Sequence, residues 1–482
     1  MSLTFKTIKE IKEKIQNKET NQEEVLSYFI NRFKKYDSKI GSALEIFEEK
    51  SILDKSGKAG LLAGIPGIIK DNICQEGRIA SCASKILENF RSTYNATAIK
   101  RLKEQGALLI GRANCDEFAM GSSGEYSAYK KSYNPWDLQR VPGGSSSGSA
   151  AAVAAGLVPW ALGSETGGSV RLPAAFCGLV GLKPTYGHVS RYGLIAYASS
   201  LDQIGVLTKT VYDNALVFSA IAGKDSLDSS TLDVEPKDYT ALLTKNLKPG
   251  LKIGVVENAL NAKGIDSQVV EATKTAINTF EKLGAEIKYI KLPSMDYSAA
   301  TYFIVSRAEA ASNLARFDGV RYGYRNKKAQ TLSDMYTKTR HDGFGDEVRL
   351  RILIGNYVLS AGHAARYYQN AKKVQKLMLK EFTDAFKEVD LLIIPTQSAP
   401  AFKIGQFDKD KLQMDLQDYF TAFANLIGAP AISIPCGFTK EKLPLGLQLV
   451  GPHLSEQLLF NTAYAYEQIT EWHKMYPQGF ED

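Results

Sequence analysis

Long apolar stretches are missing from this 482-residue chain. No uninterrupted hydrophobic run reaches the length of a membrane span, roughly 20 residues, so no spanning helix is expected. The opening residues Met1 to Lys6 run straight into a charged helical pattern and lack the apolar core of a secretory signal. Cysteine is scarce: Cys74, Cys82, Cys115, Cys177 and Cys436 are odd in number, widely spaced and without a C-x-x-C pair. That argues against a disulfide framework or a cysteine-based zinc site and for a reducing, cytoplasmic setting. Histidine is equally scarce, with His188, His341, His363, His453 and His473 too dispersed for a metal cluster, so no metal is expected. No Walker A loop, no H-E-x-x-H and no G-x-G-x-x-G opening a helix after a strand is present. Large basic blocks are absent too. The net charge of +7 is mild, and the clusters at 100–103, 349–351 and 372–376 read as solvated helix faces rather than a grip on a phosphate backbone.

What remains is the composition of a soluble globular protein, 44% hydrophobic and 23% charged. Ile8, Ile11 and Ile15, then Val25, Tyr28, Phe29 and Phe33, predict two amphipathic helices in the first forty residues, packed on the outside of a larger body. Short apolar runs then alternate with helical patterns. Strands are predicted at 65–70, 107–110, 158–162, 253–256, 286–290, 391–395, 431–435 and 445–450. Helices are predicted at 96–105, 149–156, 268–283 and 456–470. This rhythm implies an α/β fold with a mixed, largely parallel central sheet covered by helices on both faces. With no repeat of fixed period, one domain is expected, carrying surface excursions at about 225–247 and 321–340.

The densest chemical signal is VPGGSSSGSAAAVAAGLVPWALGSETGGSVRLP, residues 141–173. Two Gly/Ser-rich turns flank a small-residue helix and a strand, and paired glycines mark places where main chain turns tightly or approaches a ligand. In the second turn Thr166, Gly167, Gly168 and Ser169 supply successive N–H groups. A helix beginning at Ser169 would focus them on one point and add its dipole. That is the requirement of an oxyanion hole, where one donor is worth roughly 3–4 kcal/mol in the transition state.

With these turns the chain resembles the amidase signature family, whose pattern from GGSSxGS through GxETGGSxRxP it matches position by position. The resemblance implies the amidase fold and a Ser–Ser–Lys triad. In it Ser169 is the nucleophile, Ser145 follows a cis bond from Gly144, and the lysine of Lys70-Asp71-Asn72 is the base; backbone N–H groups of Thr166, Gly167 and Gly168 form the oxyanion hole. The chemistry is coherent. A serine hydroxyl needs a neighbouring base, and lysine serves only when neutral. Holding it so near pH 7 costs roughly 4–5 kcal/mol, which a Gly/Ala-rich pocket without a paired carboxylate could impose. Asp71 should point to the opposite face of the strand. A rival reading takes Gly144-Ser145-Ser146-Ser147-Gly148 as a G-x-S-x-G elbow with Ser146 the nucleophile and a histidine partner. It leaves Lys70 and the second turn unexplained. Two departures from the pattern, Ser147 and Val206, touch none of these roles.

Two further segments, NCDEFAMGSS at 114–123 and SRAEAASNLARFDGVRYGYR at 306–325, resemble one branch of the family, the glutaminase subunits of tRNA-dependent amidotransferases. That resemblance implies glutamine as substrate, with Arg351 for its α-carboxylate, Asp418 for its α-ammonium and Tyr302 alongside. It also implies ammonia delivery to a partner that uses ATP and Mg to convert Glu-tRNA(Gln) to Gln-tRNA(Gln). Two further subunits, B and C, would complete a heterotrimer, with the tRNA held mainly by the partner and no cofactor in this chain. A stand-alone amidase acting on small amides is the alternative.

Overall fold

The strands follow from short apolar runs bounded by glycine, proline or cap residues. A computed structural model describes residues 2–54, 57 and 59–482. Among them lie eleven strands in one sheet: β1 (Ala43–Ile46), β2 (Pro66–Lys70), β3 (Leu108–Ala113), β4 (Trp160–Glu165), β5 (Val180–Lys183), β6 (Gln203–Thr208), β7 (Lys252–Val256), β8 (Glu286–Ile290), β9 (Leu391–Pro395), β10 (Ala431–Phe438) and β11 (Pro444–Val450). Their spatial order is β1-β3-β2-β4-β6-β5-β10-β11-β9-β7-β8.

The sheet is mixed and helix-covered, as expected, but it is not largely parallel. Parallel pairing is confined to β3–β2–β4 and β9–β7–β8. The β1–β3 pair and every pairing from β4 across to β9 are antiparallel. Parallel neighbours appear where a helix carries the chain back, such as Thr97–Glu104 between β2 and β3 or Ser267–Lys282 between β7 and β8. The short turn between β10 and β11 can join only antiparallel strands. Periodicity locates strands without giving their direction, and β1, β5 and β6, which pair mostly antiparallel, escaped it altogether.

Both faces of the sheet are buried, with alternate side chains going to opposite sides. Ile69 belongs to the same apolar cluster as Trp160, Leu162, Phe218 and Phe280. Its neighbour Ile68 packs instead with Phe33 and with Ala150 and Val153 of the helix Ser147–Ala154. The two predicted N-terminal helices form as Ile8–Gln16 and Gln22–Ile40. Thr7 caps the first, and Glu10 returns a carboxylate to the Thr7 N–H in a capping box. Their polar faces are exposed, while Ile8, Ile11, Val25 and Phe29 enter the same cluster as Trp160. The stretch 225–247 carries no helix or strand, as expected. The stretch 321–340 does not stay irregular: Thr331 accepts the Asp334 N–H and starts the helix Leu332–Gly343, a cap signal overlooked among its charged neighbours.

One close approach stands out where β2 and β4 begin. Gly67 of β2 lies beside Trp160 of β4, and a Cβ there would sit 2.1 Å from the indole. Both residues are fully enclosed by core, so neither can yield. Gly67→Ala is expected to lose about 2 kcal/mol or more of stability, read as a lowered urea midpoint at unchanged m-value.

Candidate active site

Lys70 is the last residue of β2 and has no solvent exposure. Its Nζ donates to Ser145 Oγ at 2.7 Å, Ser146 Oγ at 3.0 Å and the Ser164 carbonyl at 3.1 Å. No carboxylate lies within hydrogen-bonding distance of it among the described residues. Burial therefore pulls its pKa down to about 8, against the opposing pull of Cys115, Asp116 and Asp202. The neutral form a base requires is thereby brought closer to neutral pH. Asp71 is turned away as the strand alternation requires. Its carboxylate pairs with Arg112 and accepts the Ala83 N–H at 2.9 Å. Asn72 completes the tripeptide by donating to Ser164 Oγ at 2.9 Å.

Ser145 sits in the first Gly/Ser turn, with the Gly144–Ser145 peptide cis. Its carbonyl accepts the Asp116 N–H at 3.2 Å. The Asp116 carboxylate in turn gathers the N–H groups of Gly124 and Tyr126, each at 3.0 Å, and burial raises its pKa to about 6. The segment 114–123 thus braces the serine turn: the Asn114 carbonyl accepts the Gly148 N–H at 3.0 Å, at the start of the helix that follows. Ser146 faces Lys70 and the Ser164 carbonyl, not a histidine. His188 is bound to Glu456 and Tyr239, and His453 to the Ile427 carbonyl, so the elbow reading finds no partner base.

The second turn reaches the first through its backbone, where the Ser146 N–H donates to the Ser169 carbonyl at 3.2 Å. No acceptor among the described residues takes the N–H groups of Thr166, Gly167, Gly168 or Ser169. The helix expected at Ser169 begins at Arg171 instead. Glu165 is the reason: its Oε2 accepts both the Val170 and Arg171 N–H groups at 3.0 Å and pairs with the Arg171 guanidinium. The helix end is thereby neutralised, and the turn's four free N–H groups, not the dipole, offer the anion site. Thr166 donates to Asp202 at 2.6 Å, and Thr421 Oγ1 donates to the Gly167 carbonyl at 2.6 Å.

The three residues expected at the substrate are brought to this turn and buried. The Tyr302 ring covers Gly167, where a Cβ would meet it at 2.5 Å. At Gly168 a Cβ would lie 2.2 Å from Thr421 Oγ1 and 3.0 Å from Asp418 Oδ1. Asp418 Oδ2 accepts from Ser122 at 3.1 Å, while its buried Oδ1 has no partner. Burial raises its pKa to about 7, despite Arg351 nearby. Arg351 is not a surface charge: its Nε donates to Glu347 at 2.9 Å and its NH1 to the Tyr197 hydroxyl at 2.8 Å. The segment 306–325 supports that wall, with Asn313 Nδ2 donating to the Tyr197 carbonyl at 3.1 Å. Sequence reasoning missed Ser122, Glu165, Tyr197, Asp202, Glu347 and Thr421. Glu347 carried a signal in its i,i+4 spacing to Arg351, and Ser122 and Glu165 lie within the quoted motifs. Among the described residues no group of three His, Cys, Asp or Glu could hold a metal ion.

An unpaired lysine on serine hydroxyls beside a Gly-Gly-Ser turn is a site for amide chemistry, and the chain belongs to the amidase family, whose profile matches residues 24–460. Within that family its similarity runs to the A subunits of glutamyl-tRNA(Gln) amidotransferases. The one from Oceanobacillus iheyensis is 48% identical over 485 residues, covering 99% of each chain. One from Clostridium acetobutylicum is 50% identical over 473 residues, covering 96% of this chain and 97% of that one. The solved structure of the Thermotoga maritima counterpart superposes with a TM-score of 0.84 at 42% identity, covering 99% of this chain and 98% of that one. Native peptide amidase from Stenotrophomonas maltophilia superposes with 0.83 at 28% identity, covering 99% of each. The same scaffold thus carries more than one amide substrate.

Gly168→Ala forces Thr421 and Asp418 off the turn. It is expected to lower kcat/KM by at least about 100-fold while the thermal transition stays cooperative, measured by ammonia release and by calorimetry.

Proposed function

We propose that this enzyme is the glutaminase subunit of a tRNA-dependent amidotransferase and works through Lys70, Ser145 and Ser169. The observation that carries the reading is the buried, carboxylate-free Lys70 ammonium held 2.7 Å from Ser145, next to a turn of unpaired N–H groups ending in Ser169. Ser169 Oγ attacks the side-chain carbonyl carbon of glutamine. Its proton passes to Ser145 as Ser145 gives its own to neutral Lys70. The N–H groups of Thr166, Gly167 and Gly168 hold the oxyanion. On collapse the carbon–nitrogen bond breaks, the relay returns the proton to the leaving amine, and ammonia departs. Water then attacks the γ-glutamyl ester by the same relay, releasing glutamate and restoring Ser169.

Glutamine presents a carboxylate and an ammonium at its other end. Arg351 suits the first because its guanidinium stays charged and, with Nε on Glu347 and NH1 on Tyr197, keeps NH2 as a donor for a carboxylate. The unpaired Oδ1 of Asp418 suits the second, and the Tyr302 ring closes the pocket between them. The ammonia passes to a partner subunit, which with ATP and Mg activates and amidates Glu-tRNA(Gln). Subunits B and C complete the heterotrimer in the cytoplasm, and the tRNA is held mainly by the partner. Five buried free thiols fit that reducing compartment.

Three outcomes are expected. The chain purified with its partners releases ammonia from glutamine, faster with Glu-tRNA(Gln) and ATP, and Ser169→Ala abolishes this. Activity on simple amides that is indifferent to tRNA and ATP would favour a stand-alone amidase. Arg351→Ala raises KM for glutamine by about 100-fold more than it lowers kcat. Because Lys70 must be neutral and Asp418 ionised, kcat/KM rises with pH. It climbs most steeply below about 7, where both groups are still titrating, and levels off above about 8. A profile that falls across this range contradicts the assignment.

A further inference from the structure

We propose that Asp415 sets the affinity for glutamine by occupying, in the empty enzyme, the place its α-carboxylate takes on Arg351. The inference rests on the assignment of Arg351 to that carboxylate. Asp415 Oδ1 accepts from Arg307 NH2 at 2.7 Å and stands 3.8 Å from Arg351 NH2. One carboxylate oxygen therefore serves two buried guanidiniums. Arg351 has committed its Nε to Glu347 and its NH1 to Tyr197. The NH2 group, which makes no hydrogen bond among the described residues, is the donor left for a substrate, and it is the one that faces Asp415. On the other side of the same carboxylate, Arg307 Nε is buried with no acceptor. The arrangement is that of a carboxylate subsite already filled by the protein's own side chain.

Access runs the same way. Ser169, Tyr302, Arg351 and Asp418 are each 6% exposed or less, so glutamine cannot reach them directly from solvent. A cavity of about 570 Å³ borders this closed site and is walled by Tyr302, Arg307 and Asp415 together with apolar groups such as Phe303, Ile354 and Leu416. The Asp415 side chain, at 22% exposure, is the partly solvated group among those that touch Arg351. It ends the five-residue surface helix Lys411–Asp415, from which its carboxylate can turn toward the cavity while keeping Arg307. A substrate carboxylate arriving on Arg351 NH2 lands beside Asp415, and two like charges so close repel strongly where water is excluded. Each binding event therefore displaces Asp415 from Arg351, and the measured affinity is the difference between two carboxylates competing for one cation.

The test is calorimetric titration of the complex with partner subunits, in a Ser169→Ala background that cannot turn over, with Asp, Asn or Glu at 415. The ligands are L-glutamine and 4-aminobutanamide, which keeps the amide and the ammonium but lacks the α-carboxylate. Asp415→Asn is expected to tighten glutamine by at least about threefold and to leave 4-aminobutanamide where it was, while Asp415→Glu stays near the parent. In the catalytically active complex the gain appears in KM rather than kcat. Glutamine affinity unchanged or weakened by Asp415→Asn, or both ligands shifting alike, overturns the proposal. Failure of glutamine to bind with Asp415 in place overturns instead the glutaminase reading on which it rests.

Discussion

The arrangement of this molecule depends on a lysine kept out of water without a counter-ion. A charged ammonium in such a place is costly, and the protein lessens the cost in two ways: three oxygen acceptors surround Lys70 Nζ, and the group titrates within reach of neutral pH. The demand shapes what lies around it. Asp71, the nearest carboxylate in sequence, is drawn to Arg112 across the strand. Asp116 and Asp202 stay at a distance, where they moderate the shift without forming an ion pair. Both serve as anchors, Asp116 for the backbone of Gly124 and Tyr126, and Asp202 for the backbone of Tyr197 and Ala198 and the Thr166 hydroxyl.

Those anchors bind the parts of the site into one structure. Thr166 of the Ser169 turn leans on Asp202, Asp202 holds the Tyr197 backbone, and the Tyr197 hydroxyl receives Arg351. On the other side Thr421 ties the Gly167 carbonyl to the short helical turn bearing Asp418. The group that would bind the far end of glutamine and the turn that would carry the nucleophile are therefore positioned by shared partners. A change in one is felt by the other through a few short hydrogen bonds.

How much of this could be read from the sequence depended on how local the signal was. Lys70, Ser145 and Ser169 lie in glycine-punctuated turns at strand ends, where residue type and conformation are tightly linked. Strand positions β7 to β9 emerged from apolar runs alone, to within a residue. By contrast β5 is four residues beside a glycine, and β6 begins with a buried glutamine, so neither has the profile of a strand. The helix start at Arg171 was misplaced because Glu165, five residues before Val170, captures its first N–H groups, a contact that spacing alone does not announce. Ser122, Tyr197 and Thr421 are ordinary residues made important by distant neighbours, and Arg351 showed its burial only once the helices around it were packed.

The strand order has a consequence for how the enzyme comes into being. β5, which follows the Ser169 turn, is hydrogen-bonded on its outer side to β10, and Arg171, two residues after Ser169, is held by Thr421, Asn425 and Gln448. These contacts span some 250 residues of sequence. A chain made only as far as β6 thus carries Lys70, Ser145 and Ser169 without the strands and side chains that brace the turn around Ser169. Closure of the site therefore waits on β10 and β11, which are made long after the residues they help to enclose.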